Sequence, residues 1–277
     1  MGVSRGTLGI GYVGFARAVG ATGPRGTLGV GRCQLPVDVT PPPVTYAPDF
    51  PGISRLQLRP KDLLGTLALG DPITDLPCLG SLVTGNFSAA GTARPVLQDD
   101  GTGRVGALHD GVNDMLEIAG LSLDLSAGFT FFVVERQAAA TSFRGTMRGD
   151  AGSYAAGSSI AEFYWSAGAA TSTSNRLTST SVNSATVAAL GLKSWGTNAG
   201  ASTSLRGIYI DGVRKAGTNN QTGSATAITR MQIAGYSITK CSGYVYDWVL
   251  YNAQLTQLQT DEVRDYLRDE WSSGAPF

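Results

Sequence analysis

Acidic side chains inside apolar segments are the residues of this chain that could carry out acid–base chemistry. Three stand out, Glu135, Glu162 and Asp247, each within a different predicted strand. Hydrolysis of a glycosidic bond needs two carboxyl groups, one on each side of the bond. Because each segment carries a single acid, no one strand presents such a pair. We therefore interpret Asp247 as facing outward or satisfying a turn.

The only histidine, His109, is the residue that a Ser-His-Asp triad would require. It precedes Asp110 and Gly111, a pair that is typical of a tight turn. The Gly-x-Ser-x-Gly sequence at Gly2–Gly6 lies in a Gly-rich segment and not between a predicted strand and a predicted helix, so no nucleophile on a strand-to-helix elbow is expected. His109 is therefore interpreted as a turn residue.

The element around which the others must be arranged lies near the end of the chain. Aromatic and β-branched residues alternate along Gly243–Asn252, which is typical of a central strand covered on both faces. Strict alternation predicts Tyr246 and Trp248 on one face, with Asp247 on the other.

The chain changes to a helical period after this strand. Thr256 and Gln259 have the spacing of a capping box, which predicts that a helix begins there. The apolar residues that follow fall on one helical face: Val263, Tyr266, Leu267 and Trp271.

Composition limits the function classes that are open to this 277-residue chain. Charged residues make up only 15% of it, and 37 glycines favour turns and strands over long charged helices. The 21 basic and 21 acidic side chains balance, and no basic block occurs, so neither nucleic acid nor an anionic membrane is an expected partner. No apolar run approaches the roughly 20 residues that span a bilayer.

The three cysteines, Cys33, Cys78 and Cys241, are far apart in the sequence. They form neither a metal-ligand spacing nor a disulfide framework, which fits synthesis in a reducing cytoplasm. The N-terminus lacks a basic segment followed by an apolar one, so no secretory signal is expected.

Further segments show strand patterns bounded by turn residues. Gly128–Arg136 is apolar on both faces and is predicted to be an internal strand. Gly106–Ile118 predicts a hairpin that turns at Asp110, and Leu205–Lys215 predicts a second that turns at Asp211. Many short strands with one terminal helix predict an all-β fold, a two-sheet antiparallel jelly-roll sandwich.

The first 36 residues differ from the rest. The sequence Arg5–Gly11 recurs as Arg25–Gly31, with glycine and large apolar residues in alternation. Such a segment cannot offset its own ordering entropy and would order only against a neighbour. A formal GxGxxG at Gly9–Gly14 lacks the preceding strand of a dinucleotide site, so a packing arm is favoured. The candidate anchoring residues are Leu8, Ile10, Phe15, Leu28 and Val30.

Proline is concentrated in residues 37–52, which predicts a stiff, extended linker. The predicted organisation is a Gly/Leu-rich arm over residues 1–36, the linker over 37–52, and a β-domain over 53–277.

Three of these patterns together resemble a known family. The strand Phe129–Val134, the hairpin Ile208–Val213, and Gly243–Asn252 before its helix are similar to concanavalin A-like, laminin-G-like jelly rolls. The version in tailed-phage structural proteins resembles this chain most, and its conserved opening resembles the segment from Thr92 to Asp114. The resemblance covers residues 53–277 and implies a fold that hosts lectins, glycanases and scaffolding proteins.

The resemblance implies where chemistry should be sought. Glycanases of this fold carry a Glu-x-Asp-x-x-Glu strand, which this sequence lacks, so we expect no enzyme. Related lectins hold calcium through side-chain and backbone oxygens, and Asp110, Asn113 and Asp114 offer such oxygens, with Asp99 and Asp100 as further ligands if they lie nearby. The favoured interpretation is that Asp110 and Asn113 hydrogen-bond their own backbone to fix the hairpin, and calcium binding is the alternative.

Sugar binding would use exposed aromatic side chains at the rim or on the concave face of the sandwich. The candidates are Tyr154, Tyr164, Trp165 and Trp195. Each of them is alternatively a core residue.

The function that we expect is that of a non-enzymatic virion structural protein, made in the host cytoplasm. Its arm would dock to other virion proteins, and its jelly roll would be displayed as decoration, fibre or spike in contact with host surface glycans. A homo-oligomer such as a trimer is expected by analogy with fibre proteins. The alternatives are a carbohydrate-binding lectin module and a glycan-degrading enzyme that uses Glu135 or Glu162. No cofactor is expected, and calcium at Asp110, Asn113 and Asp114 is the alternative.

Overall fold

The computed structural model describes the backbone of residues 45–89, 91–125, 127–137, 144–150, 159–167, 171–176, 183–187, 191–200, 207–210, 213–215, 228–233, 235–236, 239–240 and 242–271. Side chains are described for residues 45–89, 91–125, 127–136, 209, 228–233 and 242–271. All of these residues belong to the unit Val44–Phe277.

Strands dominate the described residues. In chain order they are β1 (Arg55–Leu58), β2 (Asp75–Pro77), β3 (Asn86–Ser88), β4 (Val96–Asp99), β5 (Val105–Asp110), β6 (Leu116–Leu123), β7 (Gly128–Gln137), β8 (Arg144–Asp150), β9 (Ser159–Ala167), β10 (Thr171–Arg176), β11 (Asn183–Val187), β12 (Gly191–Gly200), β13 (Gly207–Ile210), β14 (Val213–Lys215), β15 (Ile228–Ile233), β16 (Gly235–Tyr236), β17 (Thr239–Lys240) and β18 (Ser242–Tyr251). A short 3-10 helix, Pro60–Leu63, follows β1, and the helix α1, Gln257–Trp271, follows β18.

The strands pair antiparallel in two eight-stranded sheets. The first sheet has the order β14-β13-β12-β7-β18-β5-β4, and β1 also pairs with β18. The second sheet has the order β11-β10-β9-β8-β15-β6-β3-β2, while β16 and β17 pair with each other. The prediction of an all-β, two-sheet antiparallel fold with a C-terminal helix is therefore confirmed. The predicted N-terminal arm lies outside the described residues.

A hydrophobic core fills the space between the two sheets. Trp248 of β18 lies at its centre, with its ring 4.8 Å from that of Phe131 in the same sheet and 5.9 Å from that of Phe87 in the second sheet. Each buried side chain of this kind contributes roughly 1.5–3 kcal/mol to folding. The first sheet also supplies Leu56, Leu58, Leu97, Phe129, Val133 and Leu250, and the second supplies Leu76, Leu116, Ile118, Met231 and Ile233.

A second core covers the other face of the first sheet. Helix α1 packs there through Val263, Leu267 and Trp271, each of which is almost fully buried. The segment that precedes β1 contributes Ala47 and Phe50 to the same core. The sheet residues beneath them are Phe132, Val134, Tyr209, Tyr246, Val249 and Tyr251. Where its side chains are described, the centre of the first sheet is thus enclosed on both faces, which explains why β7 and β18 carry apolar residues toward both faces.

The predicted start of the helix is confirmed. The backbone N–H of Gln259 donates to Thr256 Oγ1 at 3.3 Å, and the backbone N–H of Thr256 donates to Gln259 Oε1 at 2.9 Å. This is the reciprocal arrangement of a capping box. No helix among the described residues has the length and apolar content needed to cross a membrane.

The strict alternation predicted for β18 is wrong at its middle. The register against β7 shifts between Val245 and Asp247, which marks a β-bulge. As a result Tyr246 and Asp247 both lie on the helix side, whereas Val245 and Trp248 lie in the core between the sheets.

The two predicted hairpins have different outcomes. Strands β13 and β14 pair with Ile210 opposite Val213, so the second hairpin is confirmed. The first is wrong, because β5 belongs to the first sheet and β6 to the second. Residues 111–115 therefore cross between sheets, which lie about 10 Å apart, instead of closing a hairpin.

Candidate functional site

A row of polar residues crosses the outer face of the second sheet. The register places Asp75 of β2 opposite Ser88 of β3, Ser88 opposite Glu117 of β6, and Glu117 opposite Gln232 of β15. Directly opposed residues of neighbouring strands share a face of the sheet. The residues that flank this row in sequence point the other way into the core, among them Phe87, Leu116, Ile118, Met231 and Ile233.

An open cleft of about 480 Å³ lies over this row between β3 and β6. We call it the β3–β6 cleft. Its polar lining comes from Asn86, Ser88 and Glu117, and its apolar lining from Ala89, Ala93, Met115, Ile118 and Ala119. Clefts of this volume, with a few convergent polar groups on an apolar floor, are typical of small-ligand sites.

The polar groups of the cleft are held in place by neighbouring side chains. Gln232 Nε2 donates to Glu117 Oε2 at 2.6 Å, and Arg230 Nε lies 3.9 Å from the same oxygen. Ser88 Oγ donates to Asp75 Oδ1 at 2.5 Å. The hydroxyl proton of Ser88 is thus directed away from the cleft, and its oxygen serves as an acceptor.

Sequence reasoning missed this site. The signal was the short alternation Leu116-Glu117-Ile118, which places a carboxylate on the outer face of a strand. The contribution of Asn86 and Ser88 could not be read in the same way, because β3 is only three residues long and its neighbour is set by the sheet order.

The interpretation of Asp247 as an outward-facing or turn residue is wrong. Its side chain is fully buried beneath α1, because the bulge in β18 turns it toward the helix. Tyr266 Oη and Trp271 Nε1 of the helix donate to Oδ2 at 2.7 and 3.0 Å. Gln57 Nε2 of β1 donates to both carboxylate oxygens, at 2.9 and 3.0 Å.

Burial raises the pKa of Asp247, while the hydrogen bonds from Gln57, Tyr266 and Trp271 and the charge of Arg59 act in the opposite direction. A substrate could reach this carboxyl only if the helix detached. Its partners therefore assign Asp247 to the attachment of α1, and a catalytic role has no support.

An ion pair extends this network to the chain that enters β1. Arg59, whose side chain is 1% exposed, pairs with Glu270 of α1 at 3.0 Å and donates to the backbone oxygen of Thr45. Lys61 pairs with the same glutamate and lies over the ring of Trp271, 4.8 Å from its centroid. The helix is thus joined to β1, β18 and the segment before β1.

We predict that Asp247→Asn lowers the free energy of unfolding by about 3 kcal/mol, because the new amide faces N–H donors and leaves at least one without an acceptor. Urea unfolding followed by circular dichroism measures the change. Asp265→Asn is the matched control, since this helix carboxylate is 47% exposed and pairs only with surface arginines, and a change under about 0.5 kcal/mol is expected. Equal effects of the two variants would show that the buried network does not hold the helix.

The other candidate acids and the histidine lie on separate strands. Glu135 of β7 is 1% exposed, and the side chain of Glu162, on β9, lies outside the described residues. His109 is 1% exposed and lies within β5 opposite Gly243. The interpretation of His109 as a turn residue is therefore wrong, since β5 continues through Asp110.

The oxygen atoms of the predicted calcium site bind the local backbone. Asp110 Oδ1 accepts from the N–H groups of Val112 and Asn113 at 2.7 and 3.2 Å, and Asp114 Oδ2 accepts from the N–H of Asp110 at 2.8 Å. Burial alone would raise the pKa of Asp110, but these backbone hydrogen bonds outweigh it and lower the pKa.

The further ligands considered for calcium are not near this loop. Asp99 pairs with Val105 at one end of β5, whereas Asp110 ends the same strand. Five residues of strand separate the two ends by roughly 17 Å. Among the described residues, no three histidine, cysteine, aspartate or glutamate side chains are grouped as a metal site would need. Calcium at Asp110, Asn113 and Asp114 stays a prediction.

The hydrogen-bonding of Asp110 gives a test between a turn and a metal site. We predict that Asp110→Ala lowers the free energy of unfolding by about 1–2 kcal/mol, because two backbone N–H groups lose their acceptor. Asp110→Asn keeps one acceptor oxygen and should cost less than about half as much. Thermal unfolding in excess calcium chloride and in EDTA provides the measurement. Stabilisation by calcium that Asp110→Asn abolishes would establish the metal site instead.

The predicted sugar-binding aromatic residues that the structure describes lie on strands of both sheets. Tyr164 and Trp165 lie on β9 of the second sheet, opposite Ser174 and Thr173 of β10. Trp195 lies on β12 of the first sheet, opposite Val133. Their side chains, Tyr154, and the anchoring candidates Leu8, Ile10, Phe15, Leu28 and Val30 lie outside the described residues, so these assignments stay predictions.

One solved structure that shares the fold of this chain is a sialidase. This chain is 12% identical to the Trypanosoma rangeli sialidase in complex with 2,3-difluoro-KDN, over 78% of this chain and 32% of that chain, with a TM-score of 0.52. The binding domain of botulinum neurotoxin DC in complex with SialylT is 9% identical over 77% of this chain and 51% of that chain, with a TM-score of 0.49.

Domain 4 of AbnA, a GH43 extracellular arabinanase from Geobacillus stearothermophilus, is 12% identical over 64% of this chain and 83% of that chain, with a TM-score of 0.42. At 12% identity, the likeness to the sialidase shows the fold alone. The chain spans about a third of the length of the sialidase chain. No protein-family model and no curated protein sequence matches it.

Proposed function

We propose that this chain is a non-enzymatic virion structural protein whose β-sandwich contacts surface glycans through the β3–β6 cleft. The observation that carries the glycan-binding part is the difference between the two outer faces of the sandwich. Helix α1 and the segment before β1 cover the first sheet, whereas the second sheet presents Asn86, Ser88 and Glu117 in an open cleft. A fold with one covered face and one polar, accessible cleft is suited to contact a ligand with that cleft.

The chemistry of the cleft supports a sugar as its ligand. A sugar ring carries hydroxyl groups around its edge and C–H groups on its faces. The carboxylate of Glu117, the Ser88 oxygen and the Asn86 amide can hydrogen-bond hydroxyl groups. Ala89, Ala93 and Met115 give the C–H groups an apolar surface. The Trypanosoma rangeli sialidase, which shares the fold, was solved with a sugar derivative, which supports a sugar as the class of ligand and carries no argument about its charge.

The placement of the acids supports a non-enzymatic role. A glycosidase of the common type needs two carboxyl groups about 5–9.5 Å apart around the scissile bond. Among the described residues that line the cleft, Glu117 is the one carboxylate. Asp247 is buried under α1 and Glu135 is 1% exposed.

A glycan-degrading enzyme is the second candidate, and one observation favours it. Asp75 and Glu117 lie two strands apart on the same face, with Ser88 between them. Adjacent strands are about 4.8 Å apart, so their Cα atoms are separated by roughly 10 Å. If the two side chains extend in parallel from the sheet, their carboxyl groups lie at a similar separation, which is near the range of about 6.5–9.5 Å for the carboxyl groups of an inverting pair.

We predict saturable binding of the full chain to a subset of glycans on an array, and no release of reducing sugar from those glycans. Glu117→Ala should weaken binding at least about tenfold, because a charge-assisted hydrogen bond contributes about 1.5–3 kcal/mol. Asp265→Ala on the exposed side of α1 removes the same charge and should leave affinity unchanged. Absence of any binding would contradict the glycan-contact part, and sugar release that Glu117→Gln abolishes would favour the enzyme.

The virion part of the proposal rests on the sequence of the arm. Glycine alternating with Leu, Ile and Val orders only against a neighbour, and a particle surface provides one. Removing residues 1–36 should leave a chain that folds and binds glycan but no longer joins the particle, because the apolar anchoring residues are gone. Co-sedimentation with assembled particles measures this. Assembly of the truncated chain onto particles would contradict the docking role.

A further inference from the structure

We infer that the β3–β6 cleft selects neutral glycans and rejects those that end in sialic acid or another acidic sugar. This inference rests on the proposed glycan contact and adds the class of sugar. It follows from the hydrogen-bonding polarity and the charge of the cleft, which distinguish hydroxyl donors from carboxylate acceptors.

Two of the three polar side chains that line the cleft, Ser88 and Glu117, offer a ligand only hydrogen-bond acceptors, whereas the amide of Asn86 can both donate and accept. Ser88 directs its proton to Asp75 at 2.5 Å, so its oxygen is left to accept. Glu117, when ionised, has two acceptor oxygens and no donor. Sugar hydroxyl groups can donate to both residues. The carboxylate of an acidic sugar brings only acceptors, which cannot pair with them.

The charges near the cleft also disfavour a ligand that carries a carboxylate. Glu117 is the one charged residue among the described residues that line it, and Asp75 adds a second carboxylate on the neighbouring strand. Arg230 is 8% exposed, and its Nε lies 3.9 Å from Glu117 Oε2, so its charge is directed to that carboxylate. A ligand carboxylate would therefore approach like charges at short range, where repulsion is strong and selective.

The buried support of Glu117 shows that the site is held in one geometry. Gln232 is 1% exposed, and its amide nitrogen donates to Glu117 at 2.6 Å. Among the side chains that the structure describes, its buried Oε1 has no hydrogen-bond partner. Because the buried amide of Gln232 has little freedom to move, its hydrogen bond holds the carboxylate of Glu117 at the floor of the cleft, as a selective site requires.

The test is an array of paired glycans, each neutral oligosaccharide beside its sialylated counterpart, with lactose and sialyllactose among them. For the full chain we expect each sialylated member to bind at least about tenfold more weakly than its neutral partner. The preference should shrink as salt is raised, because salt screens repulsion between exposed charges.

Two variants test the cause of the preference. Glu117→Gln should reduce it to less than about threefold, because the like charge is removed while the shape is kept. Asp75→Asn should reduce the preference for neutral glycans in part. Because Asp75 is exposed, this variant leaves the buried floor of the cleft unchanged. Asp265→Asn removes one negative charge from α1 and should leave the preference unchanged.

The outcomes separate this inference from the proposed function. Sialylated glycans that bind as well as their neutral partners, or better, would overturn the selection and leave glycan contact standing. A preference that persists unchanged in both Glu117→Gln and Asp75→Asn would also overturn it. Absence of binding to every glycan would remove the proposed contact itself, and the selection with it.

Discussion

A buried carboxylate sets the architecture of this protein. Asp247 is fully buried, and an ionised group in that position is tolerated only when donors surround it. Those donors come from β1, from the backbone of β18 itself and from two residues of α1. The requirement to satisfy one side chain therefore fixes where the helix lies, and the helix in turn covers one face of the first sheet.

Enclosure of that face leaves the second sheet as the surface where a ligand can bind. The first sheet has apolar side chains on both faces, so its strands serve packing. The second sheet has apolar residues on one face and, across β2, β3, β6 and β15, polar residues on the other. On the function that we propose, packing and recognition are carried out by different sheets.

The parts of the fold that local sequence determines were predictable. The capping box at Thr256 and the apolar strand β7 depend on neighbouring residues, and both were correct. The pairing of β5 was not predictable, because Asp110-Gly111 specifies a turn without specifying which strand lies beside the next segment. The bulge at Tyr246 and Asp247 likewise depends on contacts with β1 and α1, which are distant in sequence.

The candidate site was harder to predict for the same physical reason. Glu117 is a single acid in a short alternating segment, and its significance comes from Asn86, Ser88 and Gln232 on other strands. Glu117 and Gln232, for example, are 115 positions apart in the sequence and are joined by a hydrogen bond. Of the aromatic residues that sequence reasoning favoured, Tyr164 and Trp165 lie on β9 and Trp195 lies on β12, and these strands belong to different sheets.

The position of β18 has a consequence for the order of folding. This strand pairs with β1, β5 and β7 at the centre of the first sheet, yet the ribosome makes it after every other described strand. Until it emerges, β5 and β7 have no shared neighbour, and their unpaired edges are exposed to other chains. Formation of the native sheet therefore waits until β18 has been made, and the high sequence separation of its contacts makes it slow.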